Sequence, residues 1–447
     1  MRDLFVGREV ERQTYQRLLT DESPWVMVVT GMGGCGKTWL LDSLDEPNLP
    51  DICVVKPINF SNELLRTDPL KVLDQLAYLV APHCDPQQVN AFKKALKENR
   101  ERLMERIQVF QSQSANLGDH ASLQGANWSI TLADVIESNR REARALATEA
   151  FYAQMNTFDL KRLVIRLDAC EWFSEPEGQN VGQWILEGLL PELHTRMQQH
   201  GQHCCVVIAS RIRPQLRVIN SHDYTYHSLP MLTSEEVDHY LEQRGMQDSK
   251  LRNRVYEMTY GHAGCVSIVG EIWQKRREQL LSIEELQETF YDQALESFVK
   301  EDILDDRLKS PFRELTRYGV LLRSFNLPLL QTVFQKLSPR LTIDNFYQFI
   351  RYPYIKPSVR QYYAFFELLR ELQAQEIREQ EPEEWKRYHQ LARDYFIQEP
   401  SKLTEWYYHT LACNEEEAKQ EAQTSGDLNV LKEAARDKTL KLAGTYE

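Results

Sequence analysis

Gly31-Met32-Gly33-Gly34-Cys35-Gly36-Lys37-Thr38 follow the spacing Gly-x-x-x-x-Gly-Lys-Ser/Thr. Glycines at these places let the backbone curl so that its N–H groups converge on phosphate oxygens, and a helix starting at the end of the loop adds the positive end of its dipole. Lys37 is placed to reach the β- and γ-phosphates, and Thr38 offers a hydroxyl to magnesium. Both flanks agree with that chemistry, since WVMVVT before the loop reads as a buried strand and TWLLDSL after it as a helix. A glycine-rich turn with a chance lysine is the bland alternative, and the flanks speak against it. The implied ligands are ATP or ADP with Mg2+.

The same chemistry needs an acid at a strand tip near the loop. LVIRLDACEW supplies Asp168 directly after an apolar run, as a magnesium ligand acting through water. Glu171, three residues on, is the candidate for polarising an attacking water; a solvated acid at a strand end is the other reading. HCCVVIAS ends at Ser210-Arg211, which sets a cation where a γ-phosphate would lie, so Arg211 is the candidate sensor of ATP against ADP. Arg213 competes with it, and a plain surface arginine is the third possibility.

These residues require a parallel sheet. The apolar runs Trp25–Thr30, Ile52–Phe60, Arg162–Leu167 and Cys204–Ala209 are short enough for buried strands and alternate with helix-period segments, so an α/β domain with helices on both faces of a parallel sheet is expected over 1–226. A charged helical insertion occupies about 70–156, with SQSANLGDHASLQGAN as a surface loop at its centre. From Thr233 the pattern becomes helical, opened by the Thr-Ser-Glu-Glu cap of TSEEVDHYLEQRG. We expect a small all-α lid domain over 227–295, a winged-helix domain over 296–378 from three compact helices and a short β-like turn, and the start of a TPR-like helical repeat over 379–447. That array continues in another chain, ends in a short cap, or is cut short.

Composition sets outer limits. The 42% hydrophobic and 27% charged residues are those of a folded globular chain, and the net charge of -13 disfavours a general affinity for nucleic acid, leaving only local basic patches. The charged start MRDLFVGREVERQ is unlike a signal peptide and no apolar stretch approaches a membrane span, so a cytoplasmic protein without membrane contact is expected. The eight cysteines, including the neighbours Cys204 and Cys205, contain no Cys-x-x-Cys pair and read as reduced core thiols.

With these pieces in order, the chain resembles the STAND class of signal-transduction ATPases, which includes apoptosome ATPases and NLR receptors of the NB-ARC and NACHT types. Phe5-Val6-Gly7-Arg8-Glu9 is similar to the N-terminal motif that packs around adenine in that class, which would make Val6, Gly7 and Arg8 nucleotide contacts. The loop Gly31–Thr38, with Gly31, Gly33, Gly34, Cys35, Gly36 and Lys37, resembles the phosphate loop of the class. Asp168-Ala169-Cys170-Glu171 resembles the NACHT pattern, in which a small residue follows the magnesium aspartate, and Ser210-Arg211 resembles the sensor arginine. Leu229-Pro230-Met231-Leu232 resembles the segment that leads into the first helical domain, with Pro230 near adenine. Two positions depart from the pattern. Gly261-His262-Ala263 stands where relatives have Gly-x-Pro, and Phe366 stands where many have a histidine facing the β-phosphate; both bear on how firmly ADP locks the inactive state. His262 itself is read as a surface histidine at a helix end.

The resemblance implies a weak ATPase that works as a switch: an ADP-bound closed monomer exchanges to ATP and joins a homo-oligomer that acts on a separate effector or sensor protein in signalling or defence. It also implies that the output comes from a partner or from sequence beyond the C-terminus. Two other classes stand beside it. One is an ATP-gated transcription regulator binding DNA through the winged helix, with Arg351, Lys356 and Arg360 as its basic residues; the other is a constitutive AAA+-like ring that turns over steadily without a trigger.

Overall fold

The structure is a computed structural model that describes residues 6–21, 23–44, 50–117, 132–276, 282–304, 308–335, 337–358 and 361–440. The chain divides into two compact units. The α/β unit contains 8–30 and 37–229; the helical unit contains, among the described residues, 6–7, the loop 31–36 and 230–440.

The α/β unit is built on strands β1 (Val26–Thr30), β2 (Ile52–Val54), β3 (Ile58–Asn59), β4 (Arg162–Asp168), β5 (His203–Ser210) and β6 (Tyr224–Ser228). The spatial order is β2-β4-β5-β1-β6 with β3 also on β4, and every pairing is parallel. The four expected runs all form strands, and Ile52–Phe60 divides into two short ones. The sequence reading missed β6, whose YTYHS is half-exposed at the sheet edge and carries no apolar run. The acid-bearing strand β4 and the loop-bearing strand β1 are separated by β5.

Strand period 2 decides what each face holds. Val26, Val28, Leu163, Ile165, Leu167, Cys204, Val206 and Ile208 point into one core, shared with helices α4 (Pro69–Val80), α6 (Leu132–Met155) and α8 (Leu190–Gln199). The alternate residues of β4 point the other way, toward α1 (Glu9–Thr20) and α2 (Lys37–Ser43). Arg162 donates to the carbonyls of Leu18 at 2.6 Å and Asp21 at 2.8 Å, and Arg166, 1% exposed, donates to Leu41 at 2.6 Å and Val55 at 2.8 Å. Buried guanidinium groups are tolerated when carbonyl oxygens replace their water, and here the bonds tie both helices to the sheet. Asp168 ends the same row and therefore faces α2.

In the insertion, α5 (Pro86–Leu117) pairs with α6, and Arg106 bridges Glu142 at 2.5 Å across them. The expected loop starts later than the sequence reading set it. Residues 112–117 are the last turns of α5, because Ser, Gln, Ala and Asn are tolerated in a helix already propagating; residues 118–127 lie outside those described.

The helical unit opens with α9 (Ser234–Gln243), α10 (Ser249–Thr259), α11 (Ala263–Arg276) and α12 (Ile283–Ala294), and a π-helical segment Leu295–Ile303 follows. Thr233 closes the expected capping box, accepting from Glu236 N while the Glu236 carboxylate accepts from Thr233 N. Next come α13 (Phe312–Gly319), α14 (Leu327–Val333) and α15 (Ile343–Phe349), the antiparallel hairpin β7 (Ile355–Pro357) and β8 (Tyr363–Phe365), then α16 (Glu367–Gln380). The chain continues through α17 (Pro382–Phe396), α18 (Leu403–Cys413), α19 (Glu415–Ser425) and α20 (Leu428–Ala435). One apolar core runs from Leu232 to Phe396 and includes Met32, and Tyr407, Tyr408, Leu411, Ala418, Ala422, Leu431 and Ala434 form a second at the C-terminal hairpins. No described helix is long and apolar enough to cross a membrane, and the eight cysteines are free thiols.

Candidate nucleotide site

In the α/β unit, the face of β4 that looks at α2 brings together two residues 130 positions apart, since Thr38 Oγ1 donates to Asp168 Oδ2 at 2.8 Å. The other carboxylate oxygen accepts the Ala169 amide at 2.9 Å, which fixes the plane of the group. Burial raises the Asp168 pKa above the ordinary carboxylate value, while the Thr38 hydroxyl, the Ala169 amide and the Lys37 ammonium pull it back. Lys37, 8% exposed, begins α2.

Ala169 is left-handed at φ 57 and ψ 38, an uncommon state for a residue with a Cβ. The turn it makes leads into the 3-10 segment Cys170–Ser174, which carries Glu171 to the end of β5. There Arg211 holds both oxygens of Glu171: its Nε lies 3.2 Å from Oε1, and its backbone N donates to Oε2 at 3.1 Å. Glu171 is 8% exposed and the Arg211 side chain 24% exposed, so this is a largely buried ion pair with two-point geometry. Candidate base and candidate sensor are therefore partners of each other. Arg213 instead packs over the Tyr226 ring at 4.5 Å and reaches the Tyr224 hydroxyl at 3.3 Å, away from Glu171. Cys170, between the two acids, is fully buried, and burial pushes its thiol well up, so it stays protonated.

In the helical unit, the loop 31–36 uses the freedom of its glycines, with Gly34 at φ +68 and Gly36 at φ +98. Cys35 N donates to Met32 O at 3.3 Å, and Met32 is buried in the apolar core. The expected surface position of His262 is wrong. It is 1% exposed, and its Nε2 lies 2.8 Å from Gly33 O. The reason is the corner before it: Tyr260 and Gly261 are both left-handed, at φ 51 and φ 70, which reverses the chain and turns the following side chain inward. In the sequence only Gly261 hints at that corner; the left-handed state of Tyr260 leaves no mark in composition. Gly264 is the second residue missed; its N donates to Gly34 O at 2.8 Å.

Of the residues assigned to adenine, Val6 packs on the helical core, and Gly7, at φ +72, lies so close to Glu236 that a Cβ there would stand 2.3 Å from Oε1. Pro230 is exposed in the same unit, Arg8 is buried in the other, and Phe5 lies outside the described residues. Phe366 stands 6.1 Å from His262, ring to ring.

The donor set suits magnesium. A hydroxyl and a carboxylate are hard oxygen ligands, and Mg2+ is commonly held by one or two protein oxygens, its remaining positions going to water and phosphate. Among the described residues there is no gathering of three or more His, Cys, Asp or Glu that would make an all-protein metal cage.

A parallel sheet flanked by helices, with helical domains following, defines an α/β architecture with a helical continuation. No family model matches the sequence and no curated protein matches it. Among solved structures 36 chains match. One is a STAND protein with a tetratricopeptide repeat sensor from Pyrococcus horikoshii, at TM-score 0.30 and 15% identity over 96% of this chain and 52% of that one, so the chain spans about half its length. Another is Drosophila ORC, solved bound to DNA, at TM-score 0.36 and 12% identity over 81% of this chain and 87% of that one. At such values no ligand, partner or activity of either neighbour transfers to this chain.

Proposed function

We propose that this protein is an ATP-binding, slowly hydrolysing switch of the STAND type. The observation that carries the reading is the Thr38–Asp168 hydrogen bond: the two residues singled out as magnesium ligands are far apart in the chain and touch. In this reading the octapeptide Gly31–Thr38 binds the phosphates, with Lys37 neutralising the β- and γ-groups, and bound magnesium would supply further charge neutralisation. Val6, Gly7, Arg8 and Pro230 are proposed around the base.

The Glu171–Arg211 pair supports slow turnover. A carboxylate engaged at both oxygens is a poor acceptor for a proton from water, so the resting arrangement holds back its own base. Arg211 is then the sensor: a γ-phosphate competes with Glu171 for the guanidinium and frees the carboxylate to orient water. ATP against ADP thus becomes a difference in which anion Arg211 holds. We further propose domain limits of 1–226, 227–295, 296–378 and 379–447, with the three short helices and hairpin of 312–365 as a winged helix that packs rather than reads DNA. A homo-oligomer formed in the ATP state and a separate effector complete the proposal.

The test is the nucleotide the protein carries. The purified wild type should retain ADP or ATP and turn over slowly, and Lys37→Ala should lose bound nucleotide and, with it, any assembly. Tight ATP binding by Lys37→Ala defeats the site; fast steady turnover by the wild type favours the constitutive ring instead.

A further inference from the structure

The glycine loop 31–36 is held from behind by one corner of the helical unit. His262 and Gly264, at the start of α11, engage the consecutive carbonyls of Gly33 and Gly34, each at 2.8 Å. The hydrogen on the imidazole is placed by its other nitrogen: Cys265 N donates to Nδ1 at 3.3 Å, so Nε2 carries the proton and donates it to Gly33 O. The ring is neutral in this arrangement.

Nothing about the corner is loose. Leu232 N donates to Gly261 O at 2.8 Å, and a Cβ on Gly261 would stand 2.0 Å from Leu232 O, so the backbone there admits no side chain. His262 N donates to Thr259 O at 2.9 Å, and the ring lies against Phe298 with centroids 4.4 Å apart. Gly264 is equally confined, since a Cβ on it would meet Gly34 O at 3.0 Å. An imidazole fixed by two hydrogen bonds and an aromatic neighbour delivers its donor with one geometry.

We infer that His262 is a positioning residue for the phosphate loop: by holding the Gly33 carbonyl it fixes the direction of the Gly34 amide before any nucleotide arrives. The inference rests on reading Gly31–Thr38 as a nucleotide site and goes beyond it by assigning the loop's shape to a residue of the lid. The step is covalent geometry. In a planar trans peptide the C=O and the next N–H point in opposite directions, so a Gly33 carbonyl drawn toward His262 sends Gly34 N–H toward the opposite side of the loop. Glycines adopt this shape at low strain but lose much conformational freedom in doing so, and an anchored loop meets that cost in advance. The imidazole contributes to affinity without touching the ligand.

Three variants of the full chain separate this role from simple packing. His262→Phe keeps an aromatic ring beside Phe298 and removes the donor; His262→Gln removes the ring and keeps an N–H donor of similar reach; His262→Ala removes both. Hydrogen exchange of the loop peptide is measured in nucleotide-free protein, and the affinity for a fluorescent ATP analogue with Mg2+ is measured alongside it. We expect exchange of the Gly33–Gly36 amides to speed about tenfold or more in the Phe and Ala variants, and analogue affinity to fall about tenfold, the change that follows from losing one buried hydrogen bond. The Gln variant should recover most of both. Equal loop exchange in wild type and His262→Phe, or a Gln variant as impaired as Ala, overturns the assignment. A wild type that binds no analogue sinks the nucleotide reading alone, because the exchange comparison still decides whether His262 shapes the loop.

Discussion

Ala169 is where a single backbone state positions chemistry. It turns the chain out of β4 with φ at 57, and the segment behind it brings Glu171 to Arg211. A left-handed residue with a Cβ costs roughly 1 kcal/mol relative to glycine, and a β-branched one costs more. Ala169→Gly should therefore leave stability unchanged or raise it by about 0.5–1 kcal/mol, whereas Ala169→Val should lower it by about 1–3 kcal/mol. Urea midpoints read together with a constant m-value check both; a stable Val variant would mean that the turn has another route. The need for a small residue after Asp168 was legible in the sequence only as a family resemblance, and the dihedral gives it a cause. The glycine loop and Asp168 were legible because glycine content and a strand-end acid are local signals. His262 was not, since its burial depends on a corner whose handedness no composition reveals.

Among elements, the hairpin of α17 and α18 carries a buried histidine pair. His389 Nδ1 and His409 Nδ1 are 2.8 Å apart, both residues are 0% exposed, and neither Nε2 has a hydrogen-bond partner. Burial depresses both pKa values, His389 from 6.5 to about 3 with Arg370 adding to the shift, and His409 well below its ordinary value, with His389 itself among the causes. The sign follows. Below about pH 6.5 the unfolded chain takes up protons that the folded hairpin refuses, so stability is full above that pH and falls as the pH drops toward about 3. Asp437, whose pKa the neighbouring Arg370 and Arg323 lower despite its burial, contributes loss only below the ordinary carboxylate range. Between pH 6.5 and 4.5 the slope of unfolding free energy against pH should therefore shrink in a His389→Leu/His409→Leu double variant, measured by denaturation of the full chain. An unchanged slope would place the proton uptake at other groups. The elements were largely readable in advance: the strands of β1, β4 and β5 are apolar because both faces are covered, and the cap at Thr233 announces its helix. Edge strand β6 escaped because an edge needs no apolar run, and Arg162 and Arg166 sit in β4 because helix carbonyls receive them.

At the scale of the whole molecule, the chain segment that names the nucleotide is shared out by its packing: 31–36 belongs to the helical unit, and Lys37 with Thr38 to the α/β unit. In the proposed reading, ATP and ADP differ in what each unit's own residues hold. In the α/β unit the difference is whether Arg211 holds Glu171 or a phosphate; in the helical unit it is the load on a loop that His262 and Gly264 restrain. A ligand shifts an equilibrium only by its differential affinity for the two states, so a switch of this kind needs Arg211 to discriminate. Arg211→Ala should bind ATP and ADP with nearly equal affinity and should sediment identically with either, while the wild type with a non-hydrolysable ATP analogue should sediment as a larger species than with ADP. Sedimentation velocity at fixed protein concentration reads this directly. If the wild type stays the same size with both nucleotides, oligomer formation is not the output; if Arg211→Ala still assembles only with the ATP analogue, the discrimination lies in another residue and the Glu171–Arg211 pair is structural.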